Sequence, residues 1–213
     1  MADLERIEAQ KNIEDLKRKL EVGHLSSNEK LKLAALYASI DEELSAIEIY
    51  EEILSENPNI FEAKMWLAWF LNLYNFGQKE RIEKAISLAK EISSTSNSYQ
   101  AAGHQILVAL SYEESQQTKI DRILELECSV RHAPEWYFNN RYLAEEYEKR
   151  GELKDALKYY EIALSNLIDG FDPEWDKNKR MFEDQITGRP RGEFQRKGLE
   201  KHIEKLRVEV KGS

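Results

Sequence analysis

The chain has 213 residues, 41% of them apolar and 33% charged, and its mean hydropathy of -0.66, with no apolar run of about 18 residues, excludes a polytopic membrane protein. Glycine and proline together number 13, about half the usual share of roughly 12%, so long helices are expected; the single cysteine, Cys128, excludes an internal disulfide framework and fits a reducing compartment. The net charge of -9 is uneven: from Lys177 to Ser213 eleven Lys or Arg stand against six Asp or Glu, net +5, leaving 20 against 34, net -14, in the rest, and an acidic body of this kind argues against nucleic-acid binding over the whole surface.

The opening residues MADLERIEAQ have no apolar signal core and are too acidic for a transit peptide, so the expected compartment is the cytoplasm. From Asp3 to Val22, Leu4, Ile7, Ile13, Leu16 and Leu20 recur at helical spacing among charged residues, which predicts an amphipathic helix stopped by Gly23. Ser26 with Glu29 three residues on has the form of a capping box, so a second helix begins there and runs to about Ser39. A turn through Ile40-Asp41-Glu42 leads to a third helix, Leu44 to Glu56, ended by Asn57-Pro58.

This helix, turn, helix, proline unit recurs. Counting from Ser27, positions 7, 8, 11, 20, 24 and 32 hold Leu33, Ala34, Tyr37, Ala46, Tyr50 and Pro58. Counting from Tyr137, the same offsets hold Leu143, Ala144, Tyr147, Ala156 and Tyr160, with Ala163 at position 27. A copy counted from Phe61 places Leu67 and Ala68 correctly, but Ala85 arrives five residues late, which predicts a lengthened connection between Tyr74 and Arg81. A copy counted from Gln100 fits through Ile106, Leu107 and Leu110 and closes at Pro134, with Arg122 where a small residue is expected and altered packing as the consequence. The pattern resembles the tetratricopeptide repeat family, a helical fold with many functions. The resemblance implies an all-α, right-handed helical solenoid of four units, 27–60, 61–99, 100–136 and 137–170, after a leading helix over 1–26 and before a C-terminal helical extension over 171–213.

In that extension, Asp172-Pro173 reads as a cap and first helical residue, predicting a short helix with Trp175 and Phe182 to about Gln185. Residues 187–192, with two glycines and a proline, read as a loop. A last helix, Glu193 to Val208, carries Phe194, Leu199, Ile203 and Leu206 near one stripe. Its first reading is a cap over the exposed end of the array; its second is a basic helix lying back in an acidic groove.

Little in the sequence carries chemistry. His24, His104, His132 and His202 have no partners at ligand spacing, and neither a phosphate loop nor a nucleophile elbow is present. Cys128 between Leu126 and Val130 reads as a buried, inert thiol, and the Glu pairs read as solvated helix faces. No enzyme, cofactor or metal is expected. Arg189 and Arg191 could hold a phosphate or carboxylate, against the plainer reading of a solvated turn.

The family resemblance implies that positions 2, 5, 9 and 12 of each unit face a concave groove. Those positions are Asn28, Leu31, Ala35 and Ala38, then Glu62, Met65, Trp69 and Asn72, then Ala101, His104, Val108 and Ser111, and finally Phe138, Arg141, Glu145 and Glu148. Leu31 and Ala35 stand where a chaperone-tail clamp needs lysine and asparagine, which rejects that ligand. A groove with Leu31, Met65, Trp69, Asn72, Val108 and Phe138, and with His104 and Arg141 as polar handles, suits a helical or extended apolar segment of a partner protein. Trp66 and Phe70 read as core. The expected function is a non-enzymatic adaptor or assembly module with a protein or peptide partner, without nucleic acid or membrane, and with self-association open. Two alternatives stand beside it: an acidic protein neutralising a basic toxin or nuclease, and a phosphate sensor or enzyme using Arg189 and Arg191.

Overall fold

The structure, a computed structural model, describes residues 2–23, 25–113, 120–167 and 193–212. The described residues are all-α, with α1 (Ala2–Val22), α2 (Ser27–Ala38), α3 (Glu43–Glu56), α4 (Phe61–Leu73), α5 (Lys79–Ser93), α6 (Gln100–Leu110), α7 (Arg122–His132), α8 (Tyr137–Lys149), α9 (Leu153–Ser165) and α10 (Glu193–Gly212). Successive helices pack as antiparallel pairs, and the chain divides into two compact units, Met1–Ser94 and Thr95–Ser213.

In the first unit, α2 starts on the capping box that the sequence announced. The Glu29 backbone N–H donates to Ser26 Oγ at 3.3 Å and the Ser26 N–H donates to Glu29 Oε2 at 3.0 Å. That backbone hydrogen bond, with further ones from Lys19 and the Ser26 hydroxyl, holds the Glu29 pKa down at about 2. α1 lays Ala9, Ile13 and Leu16 into the core beside α2. Paired helices approach closely where the side chains are small: Ala34, Ala46, Ala68 and Ala85 are fully buried, with Tyr50, Ile53, Leu67 and Phe70 filling the space between them.

The turn into α3 places Asp41 at φ 63°, and the Glu42 N–H returns to the Tyr37 carbonyl at 3.0 Å. The second unit repeats this turn at the same repeat position, with Gly151 at φ 77° and the Glu152 N–H on the Tyr147 carbonyl at 2.9 Å. Glycine accepts this backbone without the Cβ crowding that Asp41 bears.

The five-residue delay of Ala85 is not one long loop. Residues 74–78 join α4 to α5, only one residue more than the 39–42 connection of the preceding pair. α4 is one residue longer than α2, and α5 starts nearly a turn earlier relative to its small residue. The connection is sharply bent, with Phe76 at φ 49° and Gly77 at φ 72°, and Asn75 Oδ1 accepts from the Gly77 N–H at 2.7 Å.

A buried lysine ties each helix pair of this unit together. Lys30 Nζ on α2 donates to Glu52 and Glu56 on α3, both at 2.6 Å, and Lys64 on α4 pairs with Glu91 on α5. Burial alone lowers the Lys30 pKa, and the two glutamates outweigh it, so that the ammonium is held charged.

In the second unit a neutral tie runs through α6, α7 and α8. Ser129 Oγ on α7 donates to the Ala101 carbonyl of α6 at 2.9 Å and accepts from Asn139 Nδ2 of α8 at 2.6 Å, all within a fully buried seam. Arg122, where a small residue was expected, lies at the start of α7 over the Tyr112 ring at 3.9 Å and donates from Nε to Ser111 Oγ at 2.9 Å. The helix pair closes instead around Ala101, Ala102 and Ser129, which are small and buried.

α10 extends four residues beyond the expected end, to Gly212. Its stripe of Leu199, Ile203 and Leu206 is buried in one cluster with Tyr137, Ala156 and Tyr160. The expected helix near Trp175 and Phe182 falls outside the described residues.

Candidate functional site

The first-helix positions marked by the sequence are largely covered. On α2, Leu31 is half-buried, and on α4, Met65 and Trp69 are buried, at 7% and 6% exposure, while Asn72 is half-buried. Trp69 keeps a buried Nε1 donor with no hydrogen-bond partner among the described residues. Phe70 is core, and Trp66, also expected there, is half-buried and stacked on Phe70 at 6.0 Å.

In the second unit Val108 is core, packed with Ile123, Leu126 and Leu143. His104 is half-buried, with Nδ1 2.6 Å from Glu125 Oε2 and its ring parallel to that of His132 at 5.9 Å. Cys128 is half-buried rather than buried, and burial pushes its thiol pKa up, the direction of an inert thiol. No group of three His, Cys, Asp or Glu side chains converges as metal ligands among the described residues. Arg189 and Arg191 lie outside the described residues.

Arg141 opens onto a cavity of this unit. It has a volume of about 330 Å³ and lies between α8, α9 and α10, walled by Tyr137, Arg141, Glu145, Tyr160, Leu199 and His202. Phe138 flanks it, edge-on to Tyr137 at 5.2 Å and stacked on Tyr142 at 6.0 Å. Arg141 Nε donates to Glu145 Oε1 at 3.0 Å. Burial disfavours the guanidinium charge, Tyr137 and Glu145 outweigh that, and the Arg141 pKa lies above its ordinary value.

Glu148 of α8 links two of these walls. Its Oε2 accepts from the Tyr160 hydroxyl at 2.9 Å and lies 2.9 Å from His202 Nε2 on α10. Burial first, and then the Glu148 hydrogen bond, raises the Tyr160 pKa, so the phenol stays protonated. At Gly198 a Cβ would meet nothing within 4 Å, so the α10 backbone leaves space at the mouth.

α10 shields the apolar end of the α8–α9 pair, in keeping with the first reading of the last helix. The repeat pattern marks Arg141 and Glu145 of the α8 wall, gives Tyr160 as a repeat position of α9 without placing it at a site, and is silent on which residues of a trailing helix, such as His202, face back. Sequence reasoning missed Lys30 and Lys64, although both stand at position 4 of their units and that coincidence was visible.

The chain resembles several proteins of known structure. It matches MamA with a TM-score of 0.60 at 21% identity, over 78% of this chain and 94% of that one. It matches the MamA RS-1 ArsTM double mutant with a TM-score of 0.58 at 14% identity, over 83% and 96%. PilF of Pseudomonas aeruginosa matches with a TM-score of 0.61 at 18% identity, over 96% and 93%. MamA and PilF are tetratricopeptide-repeat proteins. The fold of this chain is the tetratricopeptide-repeat fold. No family model and no curated protein matches the sequence. Among the described residues, no helix is long and apolar enough to cross a membrane.

Proposed function

We propose that this chain is a non-enzymatic protein-interaction module, an adaptor or assembly factor of four repeat units that holds a helical or extended apolar segment of a partner protein. The observation that carries this reading is the cavity at Arg141. It combines a guanidinium with the aromatic walls of Tyr137 and Tyr160 and the apolar Leu199, and arginine and tyrosine are the side chains that most often dominate binding energy at protein interfaces. The fold supports the same reading, since paired-helix arrays present extended surfaces to other chains. The single cysteine fits a cytoplasmic setting.

Within this proposal Phe138, Arg141 and the cavity walls make the primary contact in the second unit, where His104 is also half-exposed, and Leu31 and Asn72 are the half-exposed first-helix side chains of the first unit. Met65 and Trp69 are buried under the first-helix side chains of the first unit, and Val108 is core of the second. Affinity capture from native lysate tests the reading, using the full chain and a Phe138→Ala, Arg141→Ala variant. The partner is retained by the first and lost by the second; equal retention refutes the site.

A further inference from the structure

A second cavity lies in the first unit, on the side of the second helices rather than the first. It has a volume of about 350 Å³, and its apolar floor is Ile47 of α3 and Leu71 of α4, both buried, with Leu44 half-exposed at the edge. Its rim carries Glu48 and Glu51 from α3 and Glu80, Arg81 and Lys84 from α5.

The two rim cations are already engaged. Lys84 Nζ bonds Glu51 Oε1 at 2.6 Å, and Arg81 Nη1 donates to the Tyr74 carbonyl at 2.8 Å while its guanidinium lies over the Phe76 ring at 5.6 Å. α3 has five glutamates and no basic residue. Four of the five have partners: Glu43 with Tyr74, Glu51 with Lys84, and Glu52 and Glu56 with Lys30. Glu48 has none among the described residues, and neither does Glu80 across the cavity. Two exposed carboxylates without a direct partner thus stand on the rim of an apolar floor, Glu48 on α3 and Glu80 on α5, and with three glutamates against Arg81 and Lys84 the rim carries a net charge of -1.

Beside this groove the chain exposes apolar surface that folding does not require. Phe76 is 68% exposed and Leu73 44%. Phe76 also holds a left-handed backbone at φ 49°, a conformation that side chains bearing a Cβ rarely adopt. Asn75 and Arg81 fix the loop that presents it, so the ring is displayed on a defined support.

We propose that this groove between α3 and α5 is a docking site for a basic amphipathic segment of a partner protein, whose apolar side chain enters over Ile47 and Leu71 while Lys or Arg neighbours pair with Glu48 and Glu80. Phe76 extends the contact beyond the groove. The site rests on the protein-binding reading of the chain and is separate from the Arg141 cavity. Charge complementarity selects the occupant: an acidic or neutral segment of the same apolar pattern leaves Glu48 and Glu80 facing either no cation or a like charge.

The experiment uses a fluorescein-labelled helical peptide of leucine and lysine at amphipathic spacing, titrated with the full chain and read by fluorescence anisotropy. The same peptide with glutamate for lysine is the control. The lysine peptide binds, the glutamate peptide does not, and the Glu48→Lys, Glu80→Lys variant weakens binding about tenfold or more. Phe76→Ser weakens it severalfold, whereas Phe138→Ala, Arg141→Ala leaves it unchanged. All the residues changed in the first unit are exposed, and circular dichroism verifies that each variant stays folded. Failure of the lysine peptide to bind, equal binding of the glutamate peptide, or insensitivity to the Glu48 and Glu80 reversal overturns the site. Loss of binding in the Arg141 variant alone would place the peptide in the other cavity, overturning this site while leaving the protein-binding reading intact.

Discussion

The Lys30 ammonium of α2 lies 2.6 Å from the Glu56 carboxylate in the last turn of α3, and equally close to Glu52 one turn earlier. The lysine side chain is 5% exposed and the two glutamates are 51% and 54% exposed, so the buried stem packs between helices while the charge reaches screened partners. Replacing Lys30 by Ala removes both stem and charge and leaves the carboxylates able to turn to water; a loss of about 1–3 kcal/mol in urea unfolding is expected. Lys30→Met keeps the stem and loses less than half as much. A methionine variant as unstable as the alanine one would show that the ion pairs, not the packing, hold the pair together.

The α2 cap makes a pH-dependent contribution with a definite sign. Glu29 has a folded pKa of about 2 against an ordinary value of 4.5, so the unfolded chain takes up the proton first as pH falls. The stabilisation is complete above 4.5 and fades as pH falls from there toward 2. Thermal unfolding of the wild type and of Glu29→Gln should therefore differ at neutral pH, with the wild type the more stable, and converge at the acid end of that window. A constant difference across the window would contradict the capping role.

The paired turns at Asp41 and Gly151 predict opposite responses to reciprocal substitutions. Asp41→Gly relieves a left-handed residue and raises stability by up to about 1 kcal/mol, while Gly151→Ala lowers it by about 1 kcal/mol, both read as shifts in the urea midpoint. A methyl group added at Gly151 would meet nothing within 4 Å, so the cost is one of backbone conformation and not of a clash.

These turns also show what the sequence could reveal. The repeat positions counted from Ser27 and Tyr137 place Tyr37 and Tyr147, Asp41 and Gly151, and the fully buried Ala46 and Ala156 in equivalent surroundings, because small-residue spacing and turn chemistry are local properties. The candidate site was legible only in part. Arg141 was singled out from its repeat position, but its cavity is completed by Tyr160 of α9 and by Leu199 and His202 of α10, and a wall made by a helix so distant in sequence follows from tertiary packing. The degree to which Met65 and Trp69 are covered was equally invisible, since the same apolar residue at a first-helix position serves as floor or as contact according to its neighbours.

The attachment of α10 is a further point of test. Leu199, Ile203 and Leu206 bury an apolar stripe on the second unit, and Arg207 Nη2 reaches Glu161 Oε1 at 2.8 Å, an exposed pair of little weight. Ile203→Ala should cost about 2–4 kcal/mol of docking energy and raise hydrogen exchange along α10 well before the amides of α6 and α7 respond. Arg207→Ala should leave exchange nearly unchanged. Equal responses to the two substitutions would mean that the ion pair rather than the apolar stripe holds the helix.

The claim at the centre of this account is that the first-helix face around Arg141 binds a partner chain. Hydrogen exchange on the purified complex with the captured partner measures it most directly, comparing free and bound protein residue by residue. The account predicts new protection along α8 from Phe138 to Glu145 and along the Gly198 to His202 stretch of α10, lost together in the Phe138→Ala, Arg141→Ala variant. A complex that forms with α8 and α10 exchanging as in the free protein would contradict it.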